Sequence, residues 1–312
     1  MSRTLNDLPD QHGRNAVITG ANSGIGLEAT RELARAGAHV VMACRDTAKG
    51  DRAAETIRAE IPSAELDVAA LDLASLASVR AFAERYSDER LDLLINNAGV
   101  MVPPYTKSAD GFELQFATNH LGHFALTGLL LDRLLATPGG RVVTVSSTAH
   151  KFGRIDFDDL QSERSYRRWR AYGQSKLANL LFMFELDRRL RAIDADLLSV
   201  AAHPGYSATN LQFAATPSRI ERLGSTVLNR VYAQSAESGA MPTLYAATAD
   251  IPGGSFVGPD GFQEMRGEPK VVKSTRAARD PQTALRLWEV SEQLTGVHFS
   301  VADRSAPLLS KG

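Results

Sequence analysis

The sequence predicts an α/β fold: a single domain on a doubly wound parallel sheet with helices on both faces. Two observations point there. Strand and helix signals alternate from about residue 15 to residue 205. A glycine-rich turn joins the first strand to the first helix, as in sheets that bind ligands at their carboxyl edge. The 312 residues show no repeat and no low-complexity linker, so one domain covers the whole chain.

The elements follow in order. Asn15–Thr19 is a short β-rich run, and Gly24–Ala36 reads as a helix ended by Gly37. His39–Cys44 is the second strand. Asp46 or Thr47 caps a helix to about Ile61, where Pro62 stops it. Leu66–Leu71 is a strand, Ser75–Tyr86 a helix and Leu91–Ile95 a strand. Ala109–Leu135 reads mostly as helix, stopped by Pro138, Gly139 and Gly140. Arg141–Val145 is the fifth strand, Arg164–Leu190 a long helix and Leu197–Ala202 the sixth strand. Beyond Pro204 the pattern changes. Ser207–Arg230 carries weak helical signals, Ser235–Ala249 is a helix, Ser255–Val257 a short strand, and Asp280–Leu294 an amphipathic terminal helix. Residues 13–205 form the expected core, and 206–312 the region closing over it.

Bulk properties exclude several classes. A formal net charge of -1 with interspersed signs argues against a nucleic-acid partner. The single cysteine, Cys44, permits no internal disulfide and reads as a small core residue. Residues Met1–Gly13 are polar, and no stretch reaches the apolar length of a membrane span, so a cytoplasmic setting is expected.

Thr19-Gly20-Ala21-Asn22-Ser23-Gly24-Ile25-Gly26 has the spacing G-x-x-x-G-x-G. Its glycines allow a tight turn and close approach of backbone to a pyrophosphate, and the following helix presents free N–H groups. No Gly-Lys-Ser/Thr ending is present, which argues against a nucleoside-triphosphate loop. A dinucleotide is expected. The second strand ends Ala43-Cys44-Arg45. An arginine there suits a ribose 2′-phosphate, so NADP(H) is favoured over NAD, although Asp46 is adjacent. Tyr172 and Lys176 stand four apart, on one face of a helix. A nearby ammonium lowers a phenol's pKa, and such a tyrosine can exchange a proton with a carbonyl or hydroxyl oxygen. The seven histidines show no recognised metal spacing; His120 and His123 read as packing or site-edge residues, and His203 as local structure.

These residues together resemble the short-chain dehydrogenase/reductase family over nearly the whole chain. The resemblance implies a Rossmann-like fold. It assigns Gly20, Asn22, Ser23, Gly24, Ile25 and Gly26 to the cofactor turn, and Asp72 with Leu73 to the adenine side. Asn97, Ala98 and Gly99 match the N-N-A-G element beside the cofactor, and Pro204 and Gly205 the P-G element near the nicotinamide. Asn119 matches the asparagine that anchors a proton-relay water, Ser147 the catalytic serine, and Tyr172 and Lys176 the Y-x-x-x-K pair. Ser147 and Tyr172 are 25 residues apart, longer than the family's usual spacing. The intervening His150–Arg168 segment, with Ala43-Cys44-Arg45-Asp46, is similar to the retinol dehydrogenase and protochlorophyllide reductase branch.

The implied activity is hydride exchange between NADP(H) and an aldehyde or ketone and its alcohol. The alternatives are reduction of a carbon–carbon double bond, or a cofactor-binding sensor or scaffold without turnover. The chain shows no N-terminal anchor of the kind many retinol dehydrogenases carry, which argues against carrying over a retinoid. Phe152, Tyr206, Phe213, Phe256 and Phe262 suit a moderately apolar pocket or ordinary packing. The helices at 109–135 and 164–190 carry surplus apolar residues, which either dimerisation or burial by the late region explains.

Overall fold

The computed structural model describes residues 8–86, 90–205 and 235–301. Its strands are β1 (Asn15–Thr19), β2 (His39–Cys44), β3 (Leu66–Ala70), β4 (Leu93–Asn96), β5 (Gly140–Val145), β6 (Leu197–Ala202), β7 (Phe256–Pro259) and β8 (Pro269–Val271). The main helices are α1 (Gly24–Arg35), α2 (Thr47–Glu60), α3 (Leu76–Arg85), α4 (Gly122–Leu129), α5 (Arg168–Ala192), α6 (Ala236–Thr248) and α7 (Pro281–Thr295).

One eight-stranded sheet runs β3-β2-β1-β4-β5-β6-β7-β8, parallel except for β8, which is antiparallel to β7. The order reverses between β1 and β4, which opens a crevice at their carboxyl ends. Alternate strand residues feed opposite cores, as the period of two requires. Ile18, Leu93, Val143 and Val200 pack with Ile25 and Leu33 of α1 and Leu244 of α6. Val17, Leu94 and Val142 pack on the other face with Phe124, Leu186 and Trp288. Cys44 is buried in the sheet, and burial pushes its thiol up to about 11.

Three departures from the sequence reading have local causes. The helix expected from Ala109 begins at Leu114. The Ser108 hydroxyl accepts the Asp110 and Phe112 N–H groups, making a turn, and the Glu113 carboxylate then accepts from Gln115 and Phe116. That helix is also interrupted at Ala117–Leu121, where the Gly122 N–H reaches back five residues to the Ala117 carbonyl. The next long helix, α5, starts at Arg168 rather than Arg164, because Asp159 accepts the Glu163 and Arg164 N–H groups in a preceding turn. Strand β8 was not expected; three residues, one of them proline, carry no alternating pattern. The weak helical signals at Ser207–Arg230 lie outside the described residues.

The apolar surplus on α4 and α5 is covered by α7. Trp288 is 2% exposed and stacks on Phe182 at 5.7 Å, with Phe124 at 5.1 Å and Phe299 at 4.4 Å. The Arg189 guanidinium lies 4.4 Å from the Trp288 ring while bonding Glu185 at 2.7 Å. No helix among the described residues is long and apolar enough to cross a membrane. Trp288→Ala is expected to lower the unfolding free energy by about 3–5 kcal/mol, as read by urea denaturation.

Candidate active site

The phosphate-binding turn is built by close backbone approach. Gly20 and Gly24 have φ of +66° and +56°, where a side chain is strained. A Cβ on Gly26 would lie 2.4 Å from the Gly20 carbonyl oxygen and 2.5 Å from Asn97 Nδ2. Ser23 is the N-cap of α1, yet its side chain makes no capping bond and is exposed, leaving its hydroxyl and the helix's first N–H groups uncommitted to one another. Asn22 is half-buried beside it, and Ile25 is buried in the core.

The N-N-A-G loop is held to this turn by Thr19. The Asn97 and Ala98 N–H groups each donate to Thr19 Oγ1 at 2.9 Å, and Asn97 Nδ2 donates to the Thr19 carbonyl at 2.8 Å. A Cβ on Gly99 would lie 3.1 Å from Asn119 Oδ1 and 3.6 Å from Lys176 Nζ, so the loop lies against both. Asp72 Oδ1 accepts the Ala74 N–H, and Leu73 presents its carbonyl where a Cβ on Gly122 would come within 2.4 Å. Arg45 is exposed at the end of β2. Asp46 is spent as the N-cap of α2, accepting from Lys49 N at 3.0 Å.

Ser147 lies near enough to Tyr172 to favour its phenolate, and Ser147 Oγ accepts the Ala149 N–H at 3.2 Å. Lys176 Nζ lies 5.7 Å from the Tyr172 ring centre and donates to the Val145 carbonyl at 3.2 Å. Both side chains are buried, at 6% and 4% exposure. The expectation that the ammonium lowers the phenol does not describe the polypeptide itself. Burial dominates: it pushes Tyr172 up to about 12, with Ser147 opposing, and pushes Lys176 down to about 8. Asn119 is tied both to the loop after β4 and to α5. Its side chain accepts the Val100 N–H, and donates to the Val100 carbonyl and to Ser175 Oγ. Its main-chain carbonyl accepts from His123.

Pro204 and Gly205 close the far side. Gly205 donates to His203 Nδ1 at 3.2 Å, and His203 Nε2 lies 3.1 Å from Glu264. Lys151 also reaches Glu264 at 3.1 Å, and the His203 and Lys151 partners hold that carboxyl down at about 2. The sequence reading missed Glu264, which stands in a left-handed conformation (φ +57°) on the loop after β7.

A family model described as short chain dehydrogenase matches residues 14–219. The chain belongs to the short-chain dehydrogenase family. Human retinol dehydrogenase 12 is 43% identical over 95% of this chain and 90% of its own length, and human retinol dehydrogenase 13 is 42% identical over 95% and 88%. Within the family the chain sits with this retinol dehydrogenase-like branch. A solved structure from Mycobacterium Paratuberculosis covers 96% of this chain and 99% of its own, at 49% identity and a TM-score of 0.81. A solved structure from Beutenbergia cavernae, with NADP bound at low occupancy, matches 79% of this chain and 95% of its own at 26% identity and a TM-score of 0.63.

In this member of the family, exposed aromatics flank the tyrosine. Trp169 is 57% exposed, with its ring 6.2 Å from that of Tyr172. Phe152, 58% exposed, packs against Gly173. Phe262 is exposed on the loop after β7, whereas Phe256 is a core residue between His150 and His203. Tyr206 and Phe213 lie outside the described residues. The long segment before α5 is tied down by side chains: Gln174 bonds the Asp156 N–H and the Leu160 carbonyl, and the Tyr166 hydroxyl donates to the Pro103 carbonyl.

Two predictions follow from burial and crowding at this site. Gly26→Ala forces the Gly20 carbonyl and Asn97 apart and is expected to cost about 1–3 kcal/mol in chemical unfolding. Lys176 titrates at about 8 folded, against 10.5 as its ordinary value. The folded chain therefore holds fewer protons than the unfolded chain between those values, and stability lost below pH 8 is regained as pH rises toward 10.5. Lys176→Met removes this burden, and Asn179 still satisfies the Val145 carbonyl at 3.0 Å. That variant, without cofactor, is expected to be at least as stable as the parent at pH 7, with the difference narrowing between pH 8 and 10.5 in denaturation curves.

Proposed function

We propose that this chain is an NADP(H)-dependent oxidoreductase that interconverts an aldehyde or ketone with its alcohol, on a moderately apolar small molecule. One observation carries the reading: a buried tyrosine with a serine near its phenol and a buried lysine one turn away, 5.7 Å from its ring, on a sheet whose strand order reverses between β1 and β4.

The residues suit a dinucleotide. The uncommitted Ser23 cap, the left-handed Gly20 and Gly24, and the Cβ-free wall at Gly26 make a cradle for a pyrophosphate. In this reading Asp72 serves the adenine side, and Ala98, Gly99, Pro204 and Gly205 serve the nicotinamide side. NADP over NAD is supported by exposed Arg45 and by the commitment of Asp46 to a helix cap. Bound cofactor supplies the hydride.

The polypeptide supplies position and proton. Ser147 holds the substrate oxygen beside the Tyr172 hydroxyl. Tyr172, kept protonated by burial at neutral pH, donates to that oxygen as negative charge develops on it. The Lys176 ammonium, in the same low-dielectric site, stabilises the phenolate left behind. Asn119 fixes the loop and helix between which Lys176 sits. Residues 206–312 supply the substrate side, with Trp169 and Phe152 as apolar walls at the entrance.

NADPH absorbance against a panel of aldehydes and ketones tests this directly. Tyr172→Phe is expected to cut turnover by about 10²–10⁴-fold while leaving NADPH binding intact; near-normal turnover would remove the tyrosine from the mechanism. Arg45→Ala is expected to weaken NADPH binding by roughly tenfold or more and NADH binding hardly at all. An equal loss for both cofactors rejects the phosphate contact.

A further inference from the structure

A buried imidazole connects the phosphate-binding turn to the proton-transfer pair. His123 is 2% exposed on α4. Its Nε2 lies 2.9 Å from Thr19 Oγ1 and its Nδ1 3.1 Å from the Asn119 main-chain carbonyl. These contacts fix its chemical form. A carbonyl oxygen only accepts, so Nδ1 must carry a hydrogen. Thr19 Oγ1 already accepts the Asn97 and Ala98 N–H groups, which leaves it no free lone pair for an Nε2–H, and it lies 2.9 Å from Nε2 against 3.4 Å from the Ile95 carbonyl. Thr19 therefore donates to Nε2, and His123 is the neutral Nδ1–H tautomer. Burial, with Lys176 adding to it, pushes the ring down to about 4, in keeping with a neutral imidazole.

The partner of Nδ1 is not an ordinary helix carbonyl. Asn119 lies in the interrupted turn Ala117–Leu121. Its side chain continues the path, donating to Ser175 Oγ at 2.9 Å, and Ser175 Oγ donates to the Tyr172 carbonyl at 2.8 Å. A buried hydrogen-bond path thus runs Thr19, His123, Asn119, Ser175, Tyr172, from the end of β1 to the first turns of α5.

We propose that His123 is a positioning residue: Thr19 fixes the tautomer of its ring, and its Nδ1–H holds the Asn119 carbonyl and with it the placement of Tyr172 and Lys176. The positioning role rests on the function proposed above; the tautomer does not. In this assignment the Asn119 carbonyl has a protein donor on one side, and only its remaining lone pair is left for water.

Three variants separate the two bonds. His123→Asn places an amide N–H where Nδ1–H stands and keeps the Asn119 contact. His123→Gln places an amide oxygen where Nε2 stands and keeps the Thr19 contact. His123→Val keeps neither. The expected result is a kcat lowered ~10- to 100-fold in His123→Val and His123→Gln, with most of kcat retained in His123→Asn and NADPH affinity unchanged in all three. Parent-like kcat in His123→Val or His123→Gln, or a loss in His123→Asn as large as in His123→Val, overturns the proposal. A purely structural role would lower the melting temperature of all three and leave kcat per folded molecule unchanged. The ¹⁵N shifts of the His123 ring in the parent protein add a readout independent of turnover. They are expected to report a neutral Nδ1–H ring from pH 6 to 8, and an Nε2–H or charged ring overturns the assignment. If the parent reduces no carbonyl, the proposed function falls, while the ring shifts still decide the tautomer.

Discussion

The Thr19 hydroxyl is the constraint on which the carboxyl edge of this sheet depends. It is fully buried at the end of β1 and engages two backbone N–H groups from the loop after β4 and the ring of His123 from α4. An alanine there would strand the Ala98 N–H and His123 Nε2, while the Asn97 N–H keeps the Ile95 carbonyl at 3.0 Å; each stranded group costs about 1–3 kcal/mol. A valine would fill the space and strand them equally. The hydroxyl makes one rigid body of the glycine turn, the N-N-A-G loop and the helix that carries Asn119. Everything that must register with a dinucleotide is therefore set by one strand end, and the tolerance at Gly20 and Gly26 is correspondingly small.

The proton-transfer pair is held at an energetic cost. Burying Lys176 and Tyr172 together drives the ammonium toward deprotonation and the phenol toward protonation. Both shifts favour an uncharged pair; Ser147 opposes the Tyr172 shift, and the Lys176 ammonium has the Val145 carbonyl as a direct acceptor. A pair poised this way responds strongly to any charge placed nearby, because little water is present to screen it. In the proposed reaction, negative charge developing on a substrate oxygen at Ser147 is such a charge and draws the phenolic proton. There the burial that works against stability supplies the electrostatic leverage for proton transfer.

The sheet was legible in the sequence because parallel strands and their helices leave strong, repeated signals. β1, β2 and β6 run over the residues expected, and α2 is capped by Asp46 as its composition implies. The site residues were legible one by one, since Tyr172, Lys176, Ser147 and Asn119 occupy motif positions at element ends. Their chemistry was not. Spacing places Lys176 one turn from Tyr172, but whether its charge or its burial dominates depends on packing that no periodicity encodes. The interrupted turn at Ala117–Leu121 was invisible for a similar reason: a single displaced hydrogen bond leaves the apolar pattern of the helix unchanged. His123 looked like packing, and its role appears only when Thr19, distant in sequence, is brought 2.9 Å from its ring.

The two sides of the crevice are fastened by different physics, which bears on where the protein can adapt to a substrate. On the β1–β4 side Thr19, Asn97, His123 and Asn119 are joined by neutral hydrogen bonds, buried or half-buried, which salt and ordinary pH disturb little. On the far side, the turn at Pro204–Gly205 is held by His203, and His203 by Glu264, which also pairs with Lys151 at 42% exposure. Ion pairs that reach solvent are weaker and respond to salt. The loop bearing Glu264 also presents Phe262 at 77% exposure, near the end of the sheet where the aromatics Phe152 and Trp169 stand uncovered. On the proposed reading, the neutral bonds lie where the cofactor fits and the ion pairs that reach solvent lie on the substrate side. That division would let substrate preference drift through the loop after β7 and the segment before α5 without disturbing the bonds around Thr19 and Asn119.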